Sequence, residues 1–204
     1  MTTTLTVSGS ELPVPYPLIV LKPASGRTDL TQGITTLDVD GTPVHLVDRG
    51  TALSLIAAAA RHTSGRSLGV ASINLDHLHH FGASRRERRP ARTGARSSAV
   101  EWLNLVDGAP IVAHVTRVTG ARFPKLSGSD LIESVLDDAS LHKQCVAILG
   151  GMPDVTSALS ARIADKWPGI RYAGHWAPSR QDVDDGPASG RIASELRTVG
   201  VDIL

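Results

Sequence analysis

The stretch Trp102-Leu103-Asn104-Leu105-Val106-Asp107-Gly108-Ala109-Pro110 decides how this chain is read. An apolar run of strand length ends in an acid and a glycine, and a helix can begin just beyond them. Further along, Ser127-Gly128-Ser129-Asp130-Leu131 opens another helix, because Ser127 and Asp130 have the spacing of a capping box. A second apolar run, Cys145-Val146-Ala147-Ile148-Leu149, ends in Gly150-Gly151. An acid at a strand tip, a helix start and a glycine pair after a strand point, in that order, to a nucleotide-sugar site in an α/β domain. Each piece alone is a weak signal; their succession carries the inference.

Working outward, Leu37-Asp38-Val39 and Val44-His45-Leu46-Val47 flank the turn Asp40-Gly41-Thr42-Pro43 and read as a hairpin. Asp48 to Thr63 reads as a helix, with Leu53, Ile56, Ala57 and Ala60 on one face and Gly65 beyond its end. Leu68 to Ile73 is expected to be a buried strand, and Asn74 to Phe81 the start of a helix. Ile111 to Val118 is helix-like, and Leu131, Ile132, Val135 and Leu136 give the Ser127 helix its buried face. Pro153 opens a helix that Trp167-Pro168-Gly169 stops. Ile170 to Gly174 is a strand, Ser189 to Val199 a helix, and Val201 to Leu204 the start of one more strand.

This alternation implies an α/β fold with right-handed crossovers, a Rossmann-like, mostly parallel sheet flanked by helices. Residues 1–35, with Pro13, Pro15, Pro17 and Pro23, read as an irregular tail in which only Leu18-Ile19-Val20-Leu21 is suited to docking. Residues 36–204 then form one domain.

Composition narrows the class. With 41% hydrophobic but only 3% aromatic residues, the core must rest on Ala, Val, Leu and Ile. A net charge of +1 predicts no general affinity for nucleic acid. The single cysteine, Cys145, rules out an internal disulfide, suits a reducing compartment and reads as buried packing. No apolar run has the length of a membrane span, and Met1-Thr2-Thr3-Thr4 does not begin a signal peptide, so the cytoplasm is the expected location. Ser84 to Arg96 holds Arg85, Arg86, Arg88, Arg89, Arg92 and Arg96. It reads as a solvated face or as a patch for phosphate or an anionic membrane surface. No aromatic residue interleaves with these arginines, which argues against stacking on single-stranded nucleic acid.

Chemistry concentrates at the strand ends. Gly150-Gly151 lets a phosphate approach the backbone ahead of a helix, although it is neither a GxGxxG fingerprint nor a P-loop. Asp107 would face the same crevice and could take the proton of an attacking sugar hydroxyl; the bland reading is an Asp-Gly turn. Ser72 and Asn74 follow another strand and suit either sugar contacts or a turn and cap. His77, His79 and His80 lack the partners of a zinc site and read as helix residues. Asp182, Asp184 and Asp185 lack EF-hand spacing and read as a solvated loop. Nothing suggests an acyl-transfer enzyme.

Together these segments resemble the WecG/TagA/CpsF family of glycosyltransferases (glycosyltransferase family 26). The resemblance runs from about Leu37 to Leu204. It is carried by Ala71-Ser72-Ile73-Asn74-Leu75-Asp76-His77-Leu78, Val106-Asp107-Gly108-Ala109-Pro110-Ile111-Val112, Leu126-Ser127-Gly128-Ser129-Asp130-Leu131 and Ile148-Leu149-Gly150-Gly151-Met152-Pro153, with Trp167-Pro168-Gly169-Ile170 in support. It implies inverting transfer of N-acetylmannosamine, or a related sugar, from a UDP-sugar donor. The acceptor it implies is a polyprenyl-diphosphate-linked N-acetylglucosamine on the inner membrane face. Neither metal nor other cofactor is expected.

By the same resemblance Asp107 is the base, and Ser72 and Asn74 fall on a Thr-x-Asn pair near the sugars. Gly128, Asp130, Gly150 and Gly151 shape the nucleotide pocket, and Lys125 stands where the family usually has an arginine. Lysine keeps the charge but not the bidentate geometry. The family continues into a Gly-x-Pro-x-Gln-Glu segment and, in membrane-associated members, a basic appendage. Neither lies within this sequence, so the domain is expected to lack its C-terminal part. The alternative is a non-catalytic nucleotide-sugar-binding or interaction module; a Rossmann-like NAD(P)-binding protein is disfavoured by the missing glycine fingerprint. A homo-oligomer is compatible with the sequence, which does not fix the oligomeric state.

Overall fold

The computed structural model describes residues 4–5, 30–61, 67–81 and 100–204. The Leu18–Leu21 run, the tail prolines and the arginine-rich stretch from Ser84 to Arg96 lie outside the described residues. The fold is α/β, with mostly parallel strands flanked by helices, and it divides into two compact units. The first comprises Met1–Ala59 and Ser64–Ile132, the second Ala60–Thr63 and Glu133–Leu204.

In the first unit the strands are Thr4–Leu5 (β1), Thr36–Val39 (β2) and Thr42–His45 (β3), and then helix Arg49–Arg61 (α1) begins. Strand Ser67–Ile73 (β4), helix Leu75–Phe81 (α2), strand Val100–Val106 (β5) and helix Ala109–Thr119 (α3) follow, and helix Gly128–Leu141 (α4) starts here. The sheet order is β1-β2-β3-β5-β4, and only β2 and β3 pair antiparallel. The hairpin turn forms because Asp40 and Gly41 both take positive φ, with the Gly41 N–H donating to Asp38 Oδ1 at 2.8 Å.

The expected hairpin forms and joins the sheet, since β3 pairs parallel with β5. Thr4 and Leu5 pair with Thr36 and Leu37 as β1.

Alternation along β5 feeds a hydrophobic cluster on each face of the sheet. Leu103 and Leu105 join Val47, Ala52, Leu126 and Leu131, whereas Val106 joins Leu37, Val44, Ile73, Ile111 and Val115. Each fully buried side chain of this size contributes roughly 1.5–3 kcal/mol. One polar lock sits among them. Buried Asn104 donates its N–H to His45 Nδ1 at 3.0 Å and its Nδ2 to the Pro43 carbonyl at 2.8 Å, fixing β3 against β5. Burial holds the His45 pKa below its ordinary value.

The second unit holds strand Cys145–Leu149 (β6), a 3-10 turn Pro153–Val155, helix Thr156–Lys166 (α5) and strand Arg171–Trp176 (β7). Helices Arg180–Asp184 (α6) and Gly186–Val199 (α7) complete it. β6 and β7 pair parallel over a core of Leu136, Ala139, Val146, Ile163 and Trp167. Cys145 is fully buried, and desolvation raises its thiol pKa.

Several expectations are corrected in this unit. Pro153 starts a single 3-10 turn, and the α-helix proper begins at Thr156. The strand expected at Val201–Leu204 reduces to one bridge between Ile203 and Val146. The acidic run around Asp182 is not a solvated loop. Asp182 completes a capping box with Ser179 for α6, and Asp185 accepts the Ala188 N–H at 2.8 Å to cap α7, which begins at Gly186 rather than Ser189. No helix among the described residues is long and apolar enough to cross a membrane.

Candidate active site

β4 and β5 run parallel with Ser72 opposite Leu105 and Ile73 opposite Val106, so their C-terminal ends finish side by side. In open α/β sheets ligands bind beyond that edge. Asp107 is the first residue past β5, half-buried, with its N–H donating to the Ile73 carbonyl at 3.0 Å. Gly108 then takes φ 79°, a value an L side chain rarely adopts, and turns the chain into α3. A Cβ there would lie 3.7 Å from the Asn74 Cβ, which places the Asp107-Gly108 turn against the end of β4.

Asn74 caps α2: its Oδ1 accepts the His77 N–H at 3.0 Å and lies 2.8 Å from His77 Nδ1. Ser72 Oγ accepts the Gly128 N–H at 2.9 Å, tying β4 to the first residue of α4. Leu126, itself buried, donates its N–H to the Val106 carbonyl at 2.7 Å and so brings Lys125 and Ser127 to the end of β5.

Asp130 organises that segment. Its Oδ2 accepts the Ser127 N–H at 3.0 Å, the Ser127 hydroxyl at 2.7 Å and the Lys125 ammonium at 3.0 Å. The bonds from Ser127, followed by the one from Lys125, hold the Asp130 carboxyl far below the usual carboxylate range. Lys125 is pushed above its ordinary value, chiefly by its hydrogen bond to Asp130 and the charge there, and to a smaller degree by the charge of Asp107. The ammonium therefore lies within electrostatic reach of Asp107. About half of the Lys125 side chain is exposed, so this ion pair orients more than it stabilises.

Ser72, Asn74, Asp107, Lys125, Gly128 and Asp130 thus gather at one strand edge of the first unit. Beside it, an open and largely apolar groove of about 410 Å³ is lined by Leu75, Leu78, Pro110, Ile111 and Arg117 among others.

Gly150 and Gly151 belong to the second unit. Both have positive φ, 104° and 80°, at the end of β6. The Gly150 N–H donates to the Trp176 carbonyl at 2.8 Å and is therefore already used. His175 supports the same turn: its Nε2 lies 2.5 Å from the Gly150 carbonyl oxygen and its Nδ1 2.8 Å from Thr156 Oγ1. Sequence reading missed His175; the only available signal was its position at the end of a strand whose length was underestimated. Among the described residues no group of three metal-ligating side chains forms, at His77, His79 and His80 or elsewhere.

No curated protein matches the chain significantly. The family model for glycosyl transferases of the WecG/TagA/CpsF type matches residues 37–204, which include every residue of the strand edge and of the glycine turn. The chain belongs to the WecG/TagA/CpsF family of glycosyl transferases.

Proposed function

We propose that the protein is an inverting glycosyltransferase of cell-surface polysaccharide assembly. It moves N-acetylmannosamine or a related sugar from a UDP donor to a polyprenyl-diphosphate-linked N-acetylglucosamine. The work takes place in the cytoplasm, at the inner face of the membrane. The observation that carries this reading is the position of Asp107: at the tip of β5, against the Ser72–Asn74 end of β4 and within reach of the Lys125 charge.

In a single displacement the acceptor hydroxyl oxygen bonds to the anomeric carbon while the bond to the UDP oxygen breaks. The hydroxyl proton passes to the Asp107 carboxylate, and the leaving diphosphate takes the bonding electron pair. Lys125 supplies positive charge to that developing anion. Asp130 holds Lys125 in place rather than touching the sugar. Ser72 and Gly128 join the strand end to α4, and Asn74 borders the turn that carries the base. The Gly150–Gly151 turn offers a phosphate close approach to backbone, with Gly151 the better candidate because the Gly150 N–H is committed. The apolar groove beside Asn74 and Gly108 supports an acceptor with a hydrocarbon carrier.

A UDP-release assay with UDP-N-acetylmannosamine and a short polyprenyl-diphosphate acceptor tests the reading. Asp107→Asn should lower turnover by about 10²–10⁴-fold, the range for removing a general base, with UDP affinity retained. Turnover unchanged in that variant removes Asp107 from the base role. The alternative is a module that binds the nucleotide sugar without transfer. It draws support from the internal commitments of Asn74 Oδ1, Asp130 and the Gly150 N–H, and calorimetry showing UDP binding without turnover would favour it.

A further inference from the structure

We propose that His175 is a positioning residue for the donor's diphosphate: it holds the Gly150 carbonyl so that the Gly151 N–H is aimed at a phosphate oxygen. The proposal rests on the transferase reading and deepens it at the glycine turn. β6 and β7 pair parallel, with Ile148 opposite His175 and Leu149 opposite Trp176, so both strands end beside Gly150. The register shifts between Val146 and Ala147, which makes Ala173 an extra residue. Without that bulge Tyr172 and His175, three residues apart, would face opposite sides of the sheet. With it His175 takes the face of its partner Ile148, which joins the core that Leu159 and Ile163 of α5 also enter.

Both ring nitrogens are used there. Nε2 lies 2.5 Å from the Gly150 carbonyl oxygen, which can only accept, so Nε2 carries a proton. Nδ1 lies 2.8 Å from Oγ1 of Thr156, the first residue of α5, and that hydroxyl also reaches the Pro153 carbonyl at 2.7 Å. A hydroxyl accepts from a protonated Nδ1 or donates to a bare one, so the Nε2 donor is kept in either case.

The consequence comes through the peptide plane. No peptide bond among the described residues is cis, and in a trans bond the carbonyl and the next N–H point to opposite sides. Holding the Gly150 carbonyl against His175 therefore turns the Gly151 N–H away from that ring. The Gly150 N–H is committed to the Trp176 carbonyl at 2.8 Å. The Gly151 N–H has no hydrogen-bond partner among the described residues, and Gly151 is exposed. Positive φ at both glycines, 104° and 80°, permits this orientation, and a Cβ on Gly151 would lie 3.8 Å from Nε2. Two anchors on Gly150 thus leave the next amide donor open, in a fixed direction, ahead of Pro153.

The test is calorimetry on the full chain with UDP and with uridine, joined to NMR of the His175 ring and the Gly151 amide. In the native chain Nε2 should be protonated, and UDP but not uridine should shift the Gly151 amide. His175→Phe keeps a ring without the donor. It should weaken UDP binding about tenfold, at low and high salt alike, as expected for one misdirected hydrogen bond to a charged group. Uridine binding should stay unchanged. His175→Gln returns an amide N–H near the place of Nε2 and should recover most of the loss. If the native chain binds UDP and His175→Phe binds it equally well, the His175 role falls and the transferase reading stands. Equal losses for UDP and uridine also overturn it, since they mean a change of shape rather than a lost phosphate contact. A native chain that binds no UDP overturns both readings. Should His175→Phe not fold, the native chain decides. A bare Nε2, or a Gly151 amide that UDP leaves unmoved, overturns the proposal; a protonated Nε2 with a shifted amide upholds it.

Discussion

At the strand edge of the first unit, Asp107, Lys125 and Asp130 present side-chain charges that partly cancel one another. At the glycine turn of the second unit, Gly150 and Gly151 present only backbone, held by Trp176 and His175 of β7. The contrast shows two physical routes to a phosphate. Charge acts over several ångströms, steers and is screened by salt, whereas a backbone N–H acts only at contact and is nearly indifferent to ionic strength. It also shows different points of failure. A side-chain site is lost by removing an ion, and a backbone site by giving the glycine a Cβ.

A pair of variants can break this comparison. Lys125→Ala should lower UDP affinity by about tenfold and flatten its salt dependence, because a charge-assisted contact is removed. Gly151→Ala forces a Cβ onto a residue at φ 80°, a strain of about 1–3 kcal/mol. Any affinity it loses should be the same at low and high salt. A Gly151→Ala variant whose salt slope changes like that of Lys125→Ala would show that the two regions do not differ in the way described.

What could be read from sequence follows the same division. Local signals were legible: the apolar run from Trp102 to Val106 marked β5, and Ser127 with Asp130 marked the start of α4. The strand-end positions of Ser72, Asn74 and Asp107 needed no more than that. Partnerships distant in sequence were not legible. Nothing in Thr42–His45 announces that β3 will pair with β5. His175 was hidden because the backbone that it supports lies on another strand. The Asp182 capping box was misread because the three acids lacked EF-hand spacing and so read as a solvated loop, while Ser179 had turned one of them into a helix start.

The first unit's buried lock sharpens the comparison by pH. His45 Nδ1 must be unprotonated to accept the Asn104 N–H, and burial keeps its folded pKa below the ordinary value of 6.5. The folded state therefore binds fewer protons than the unfolded chain as pH falls. Stability from this group is complete above about pH 6.5 and declines below it, by at most about 1.4 kcal/mol per pH unit, until the folded pKa is passed. Denaturant midpoints between pH 7.5 and 5 should show the decline, and His45→Gln should flatten it. In the second unit Asp182 has a lowered pKa, so its contribution is lost only below its ordinary value of 3.8. A native chain with no change between pH 7.5 and 5 would deny the histidine lock.

The smallest expected effect belongs to Ser72, and it distinguishes scaffold from substrate contact. Its Oγ accepts the Gly128 N–H at 2.9 Å at an exposed helix start, so water can replace it in Ser72→Ala. The stability loss should be about 0.5–1 kcal/mol, at the low end for a hydrogen bond, with faster hydrogen exchange confined to the Gly128 amide. Ser72→Thr keeps the hydroxyl and should restore that protection. If Ser72→Ala lowers turnover far more than this stability loss explains, and Ser72→Thr restores it, the hydroxyl also meets the sugar. If both variants turn over normally, Ser72 only fastens α4 to the sheet, and the chemistry at this edge rests with Asp107 and Lys125.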